Sequence, residues 1–225
     1  MKVAVFGHSK DKILPLLSAS GFSITSENPE FVVSYGGDGT LMRAEAAFPG
    51  IPKIILKDSF ICKKCSYFSN EIVLEKIQKG DYEIEEMFKL SAAAKGTELI
   101  GFNDIVVHNK DPRHAIRYRV KVDGKEIPRE IIGDGIVVAT PFGSTGYYRS
   151  ITDSFFEIGI GLAFNNSTEQ SDHMILGEGS VIELAVSRGP AIVYADNHEK
   201  TIDLGTDGSV RIKRAEEKAK VVRAR

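Results

Sequence analysis

The 225-residue sequence predicts an α/β domain built on a parallel sheet, followed by a β-rich antiparallel domain. Two observations carry this. Up to about residue 78, short apolar β-branched runs alternate with helix-compatible segments, the pattern of a sheet covered by helices. After Asp81 the chain turns to short alternating segments punctuated by Gly, Asp, Asn and Pro, the pattern of antiparallel strands.

In order, "KVAVF" at 2–6 reads as a buried first strand. The stretch 9–20 has helical spacing, with Pro15 weakening that helix or starting it late. Strands follow at about 22–25, at 31–35 and at 53–56, with helices over 40–48 and 70–78. Beyond Asp81, "YEIEEMFKLSAAAKG", "GFNDIVVHN", "AIRYRVKVDGKEI", "IIGDGIVVAT", "SVIELAVSR", "AIVYADN" and "SVRIKRA" read as strands, with "VDGK" at 122–125 a hairpin turn. The division expected is an α/β domain over 1–85 and a β-rich domain over 86–210. Residues 211–225 read as a C-terminal strand or tail, for which a return to the first domain is one arrangement.

Composition narrows the function classes. With 42% hydrophobic residues the chain can bury a core. Its apolar runs are too short to cross a bilayer, and "MKVAVFGHSK" enters a strand directly instead of a signal segment, so a cytoplasmic, non-membrane protein is expected. A net charge of −2, from 29 basic and 31 acidic residues, gives no field for holding nucleic acid, and the basic C-terminal run reads as a solvated edge strand and tail. Cys62 and Cys65 are half of a zinc knuckle or a redox pair, but no second pair completes a metal site. Reduced thiols, or a local disulfide in a thermophile, remain.

The P-loop, the dinucleotide-fold glycine pattern and the nucleophile elbow are all absent. What stands out is "GGDGT" at 36–40, between a strand and a helix-compatible "LMRAEAAF". A glycine turn there exposes backbone N–H groups at a helix N-terminus and suits phosphate. A polyphosphate would repel Asp38, so the carboxylate reads as a base toward an attacking hydroxyl; helix capping is the plainer alternative. Asn103 and Asp104 offer an amide for a purine edge and a carboxylate for sugar hydroxyls, or simply an Asx turn. "GDGIVVATPFGSTGYY" at 133–148 adds Asp134, hydroxyls, exposed amides and an aromatic face that fit a ribose and base, or a polar β-turn.

Together, "GGDGT", "ND" at 103–104 and "DGIVVATPFGSTGY" at 134–147 resemble the NAD kinase family over roughly residues 30–200. The resemblance implies a Rossmann-like first domain and a β-rich NAD-binding second domain. It implies transfer of a phosphoryl group from ATP or inorganic polyphosphate to the 2′-hydroxyl of the adenosine ribose of NAD, with Mg²⁺ or another divalent metal. Asp38 would be the general base, and Gly36, Gly37, Gly39 and Thr40 the phosphate-facing turn, with Arg43 beside it. Asn103, Asp104 and His114 would meet the adenosine portion. Thr145, Gly146 and Tyr147 would line the nicotinamide side, flanked by Ser144, Tyr148 and Ser150. Asp134 would reach a neighbouring subunit's ligand in a homodimer or homotetramer, and Asp196 would be a further ligand contact. The sequence departs from the family pattern at Phe142 and Gly146, in "YRSITD" after the second tyrosine, and in "LKDSFICKKCSYF", which replaces a glycine-rich loop. Alternatives are a kinase of the same superfamily acting on a lipid or nucleoside hydroxyl, and a non-catalytic NAD(P) sensor.

Overall fold

The computed structural model describes residues 1–58, 66–168 and 172–225; Cys62 and Cys65 lie outside the described residues. The chain divides into two compact units, one of Met1–Met87 with Glu217–Arg225 and one of Phe88–Glu216.

The first unit contains β1 (Lys2–Phe6), α1 (Leu14–Ala19), β2 (Ser23–Ile24), β3 (Phe31–Tyr35), α2 (Asp38–Ala47), β4 (Lys53–Leu56) and α3 (Asn70–Gln78). Its strands pair in parallel in the order β4-β3-β1-β2. The apolar runs are continuous because both faces are covered. On one face Val3, Val33, Ile54 and Leu56 pack with Leu17 of α1 and Leu74 and Ile77 of α3. On the other, Ala4 and Val32 meet Ala44 of α2, with Phe6 and Phe48 packed edge to face.

Two helices differ from the expected spans. The predicted helix over 9–20 is a single 3₁₀ turn at Lys10–Lys12 and then α1, with Pro15 in its first turn. A proline there forgoes an N–H that no helical carbonyl would have used. The helix expected at 40–48 begins earlier, at Asp38, because extended Gly37 (φ −103°, ψ −169°) serves as its cap. Asp38 therefore belongs to the first helical turn. The far end of α2 is held from below: Lys53 on β4, fully buried, donates to the Glu45 carboxylate and to the carbonyl of Phe48. The second Glu45 oxygen accepts from the N–H of Gly50 at 3.3 Å.

The chain continues through β5 (Tyr82–Ala94), β6 (Thr97–Gly101), β7 (Asp104–Asn109), β8 (Ile116–Val122), β9 (Lys125–Glu126), β10 (Ile131–Gly133), β11 (Gly135–Ala139), α4 (Tyr147–Thr152), β12 (Ile160–Asn165), β13 (Met174–Leu176), β14 (Ile182–Arg188), β15 (Ala191–Ala195), β16 (Thr201–Gly205) and β17 (Ser209–Ala224). In the second unit one sheet includes the antiparallel run β10-β8-β14-β17, and the other runs β13-β12-β11-β7-β15-β16. The core lies between them, where Val107, Val138 and Phe164 of one sheet meet Tyr118, Leu184 and Ile212 of the other. The alternate residues Val106, Val137 and Ala163 form the outer face of the second sheet, under Tyr148 of α4 and Phe156. The hairpin predicted at "VDGK" is present, with Asp123 and Gly124 both at positive φ between Val122 and Lys125.

The basic C-terminal run is not a solvated tail. β17 pairs with β14 in the second unit and, through Val221 and Val222, in parallel with β4 in the first. Its cations are matched by the acidic start of β5: Lys218 with Glu86 at 2.7 Å, Arg223 with Glu85 at 2.8 Å and Arg225 with Glu83 at 2.8 Å. Among the described residues, no helix is long and apolar enough to cross a membrane.

Removing one partner of a buried ion pair strands the other charge. Lys53→Met should therefore lower the unfolding free energy by about 3 kcal/mol in urea titration, and Lys53→Met with Glu45→Leu by much less.

Candidate functional site

In the first unit, β3 runs directly into the turn Gly36-Gly37 and then α2. Gly36 takes φ +155°, and a Cβ on it would lie 2.3 Å from the Thr40 hydroxyl. Only glycine fits. The Gly37 carbonyl accepts from the N–H of Thr40 at 2.9 Å and of Leu41 at 3.3 Å, which starts the helix. The first N–H groups of an α-helix have no acceptor within it, and around Gly39 a Cβ would meet nothing within 4 Å. Within the turn the Gly36 N–H donates to the carbonyl of Leu56 at 2.9 Å and is not open to an anion; the open space lies around Gly39, at the helix end that attracts one. Asp38 and Thr40 are half-buried in this turn, and Arg43 is exposed further along α2.

In the second unit the sequence stretches at 103–104, 140–147 and 196 come together. Asp196, 7% exposed, accepts from three consecutive backbone N–H groups: Phe102 at 2.8 Å, Asn103 at 2.7 Å and Asp104 at 3.1 Å. From the other side the Thr140 hydroxyl donates to the carbonyl of Phe102 at 2.7 Å and accepts from the N–H of Gly143 at 3.1 Å. Gly143 is obligatory, since a Cβ would come within 2.1 Å of the Asn103 carbonyl oxygen. Phe142 is buried and stacks on Phe102 with centroids 4.1 Å apart, so the interior takes up the ring that departs from the family pattern. The Asn103 amide lies beside Gly146, 3.8 Å from where a Cβ would stand, and its buried Oδ1 has no hydrogen-bond partner.

Burial, and then the neighbouring charge of Asp196, push the Asp104 carboxyl up to about 7. Asp196 is also raised by burial, with its three backbone donors pulling the other way. Burial raises Tyr147, and it takes Tyr194 up to about 12.

The remaining predicted residues divide. Tyr147 is half-buried, with its hydroxyl held by Asn165. Thr145 is half-buried nearby, in the 3₁₀ turn before α4. Both Asp134 oxygens are engaged, by Asn109 at 3.0 Å and Asn166 at 2.7 Å. The His114 ring is exposed against Asp111, while its backbone carbonyl accepts from the same Asn109 amide that binds Asp134. Ser144 and Tyr148 face the interior: the serine hydroxyl donates to the carbonyls of Pro141 and Phe156, and the tyrosine ring packs edge-on to Phe156. Ser150 is exposed and bonded to the Tyr147 carbonyl. Sequence reasoning missed Thr140, Asn109, Asn165, Asn166 and His108. Only the "NN" at 165–166, polar residues closing an apolar strand, was a visible signal.

A parallel α/β unit carrying a glycine-aspartate turn and a two-sheet antiparallel unit define a two-unit class of protein, α/β with antiparallel β. The ATP-NAD kinase C-terminal domain profile matches residues 102–224, more than half of the chain. The chain belongs to that family. An NAD kinase of Saccharolobus islandicus is 30% identical over 144 residues, 64% of this chain and 57% of the relative. The chain thus spans somewhat over half the length of such relatives. An NAD kinase of Archaeoglobus fulgidus is 29% identical over 196 residues, 84% of this chain and 76% of the relative. The crystal structure of an NAD kinase from that organism in complex with ATP superposes with a TM-score of 0.82 at 25% identity, covering 100% of this chain and 94% of the other. A yeast NADH kinase complexed with NADH shares the fold, with a TM-score of 0.77 at 15% identity, over 99% of this chain and 83% of that one.

Asp104 holds its proton in the folded chain up to about pH 7, whereas an unfolded aspartate releases it near 3.8. Between those values the folded state binds the extra proton, so the contribution of Asp104 to stability falls as pH rises. Asp104→Asn should therefore gain stability over wild type between pH 4 and pH 8, by on the order of 1–3 kcal/mol in urea unfolding. Gly143→Ala should cost more than about 2 kcal/mol at either pH, because the clash is with backbone.

Proposed function

We propose that this chain phosphorylates the 2′-hydroxyl of the adenosine ribose of NAD, giving NADP, with ATP or inorganic polyphosphate as donor. The observation that carries this is the turn at 36–40, which sets a carboxylate among glycines in the first turn of α2. Asp38 accepts the proton of the 2′-hydroxyl as that oxygen attacks the terminal phosphorus, and the backbone around Gly39 meets the phosphoryl oxygens. The bond from phosphorus to the donor's bridging oxygen breaks as the new one forms.

The second unit supplies recognition. The unpartnered Oδ1 of Asn103 accepts an N–H and its Nδ2 donates, which suits a purine edge. Asp104 takes ribose hydroxyls, while Thr145, Gly146 and Tyr147 line the nicotinamide side. Asp134 serves a neighbouring subunit's ligand in a homodimer or homotetramer. The relatives' names, and the ATP in the archaeal structure, support the reading. Among the described residues no three His, Cys, Asp or Glu side chains converge as a metal cage. A divalent ion such as Mg²⁺, when bound with the phosphoryl donor, would supply neutralisation of phosphate charge. The reaction belongs in the cytoplasm.

The test is NADP formation from NAD with ATP or polyphosphate and Mg²⁺. Wild type should give NADP, and Asp38→Asn should lower kcat by about 10²–10⁴-fold with little change in KM for NAD. Equal turnover by the variant would remove Asp38 as base. Failure of wild type with every donor would remove the activity.

A further inference from the structure

Tyr147, at the start of α4, has its hydroxyl oxygen 2.9 Å from Nδ2 of Asn165. Asn165 ends β12 and is 8% exposed. The same amide nitrogen lies 3.4 Å from Nε2 of His108 on β7. The other ring nitrogen of His108, Nδ1, lies 3.1 Å from the backbone carbonyl of Asn109.

This chain of contacts has a direction. A carbonyl can only accept, so Nδ1 carries the hydrogen. In the neutral ring Nε2 is then a bare acceptor, which obliges the Asn165 amide to turn its nitrogen, not its oxygen, toward the imidazole. That nitrogen has two hydrogens. One serves Nε2 and the other serves Tyr147 Oη. The phenolic oxygen is thereby an acceptor toward the interior, and its own hydrogen is left to point outward.

We propose that His108 and Asn165 are positioning residues that fix the Tyr147 hydroxyl as a hydrogen-bond donor to the ligand, so that this point of the site selects an acceptor oxygen. The inference rests on the proposed role of Tyr147 in lining the dinucleotide site. A carbonyl, ribose or phosphate oxygen is accepted there, whereas an N–H would meet the phenolic hydrogen head on. Burial supports the arrangement, because it moves the ionisation of Tyr147 to higher pH, against the opposing pull of the Asn165 hydrogen bond, and keeps the proton on the hydroxyl. The relay crosses three separate elements, β7, β12 and α4, so neither partner is a local helper of the tyrosine.

The ring tautomer is read without turnover. Long-range ¹H–¹⁵N spectra of ¹⁵N-labelled protein at about pH 8.5, where free imidazoles are neutral, should show His108 protonated on Nδ1, with His108→Gln identifying the signal. An Nε2–H ring would overturn the proposal, since the amide would then turn its oxygen inward and take the phenolic hydrogen. Next, Asn165→Leu should raise KM for NAD about tenfold, the loss of roughly one hydrogen bond, with kcat within about twofold. Asn165→Asp, similar in shape but able only to accept, should do the same. Made together with Tyr147→Phe, neither substitution should add to the effect of Tyr147→Phe alone; an undiminished loss there means a merely structural role and overturns the proposal. Absence of NADP from wild type would count against the proposed activity alone, and the same cycle would then be read from NAD binding by calorimetry.

Discussion

A single carboxylate, Asp196, organises the second unit's site. Burying an aspartate is costly unless its oxygens are bonded, and here three consecutive backbone N–H groups, from Phe102 to Asp104, converge on it. The donors lie 92–94 residues away in sequence, so the contact ties the end of β15 to the corner that opens β7. Thr140 and the bare face of Gly143 close the corner from the opposite side. With its backbone thus over-determined, the corner can hold the Asn103 amide with an unmet acceptor and can keep Asp104 buried beside a second carboxylate. Both are unfavourable placements that a looser loop would relax, and on the proposed reading they are what would make this corner selective.

The first unit solves a different problem, that of aiming a helix. Gly36 and Gly37 let the chain leave β3 sharply enough for α2 to begin at Asp38. At the other end Glu45 and Lys53 hold the helix to β4 and to the turn at Gly50. The amide-rich terminus is therefore the end of a rod fixed at both ends. Neither the turn nor the ion pair would achieve this alone, because a short helix with one loose end swings.

Much of this was legible in the sequence, and for physical reasons. Residues 31–56 read as parallel α/β because both faces of β3 and β4 are covered, which leaves no polar alternation to mistake for a hairpin. The turn at 122–125 was plain because Asp-Gly at positive φ is a local property. What escaped was non-local. β5 and β17 read as short pieces because their charged residues break the alternation, and several of those charges pair across the two strands, Lys218 with Glu86 and Arg223 with Glu85. Pro15 shortened a helix whose periodicity reached back to residue 9. Phe142 looked out of place in a ligand turn until its ring was found against Phe102. Asn165 and His108 carry no motif, since their meaning depends on a ring tautomer set by a neighbouring carbonyl.

The pairing of Val221 and Val222 with β4 bears on how the chain is made. The first unit's parallel sheet includes a strand drawn from 217–225, while 88–216 form a unit of their own. A ribosome emits β1 to β4 early, yet the second neighbour of β4, on the side away from β3, emerges only after all of the intervening strands. Until then β4 exposes an unpaired row of backbone groups, open to association with other nascent chains. The acidic start of β5, already synthesised, gives that late strand an electrostatic landing strip of the opposite sign.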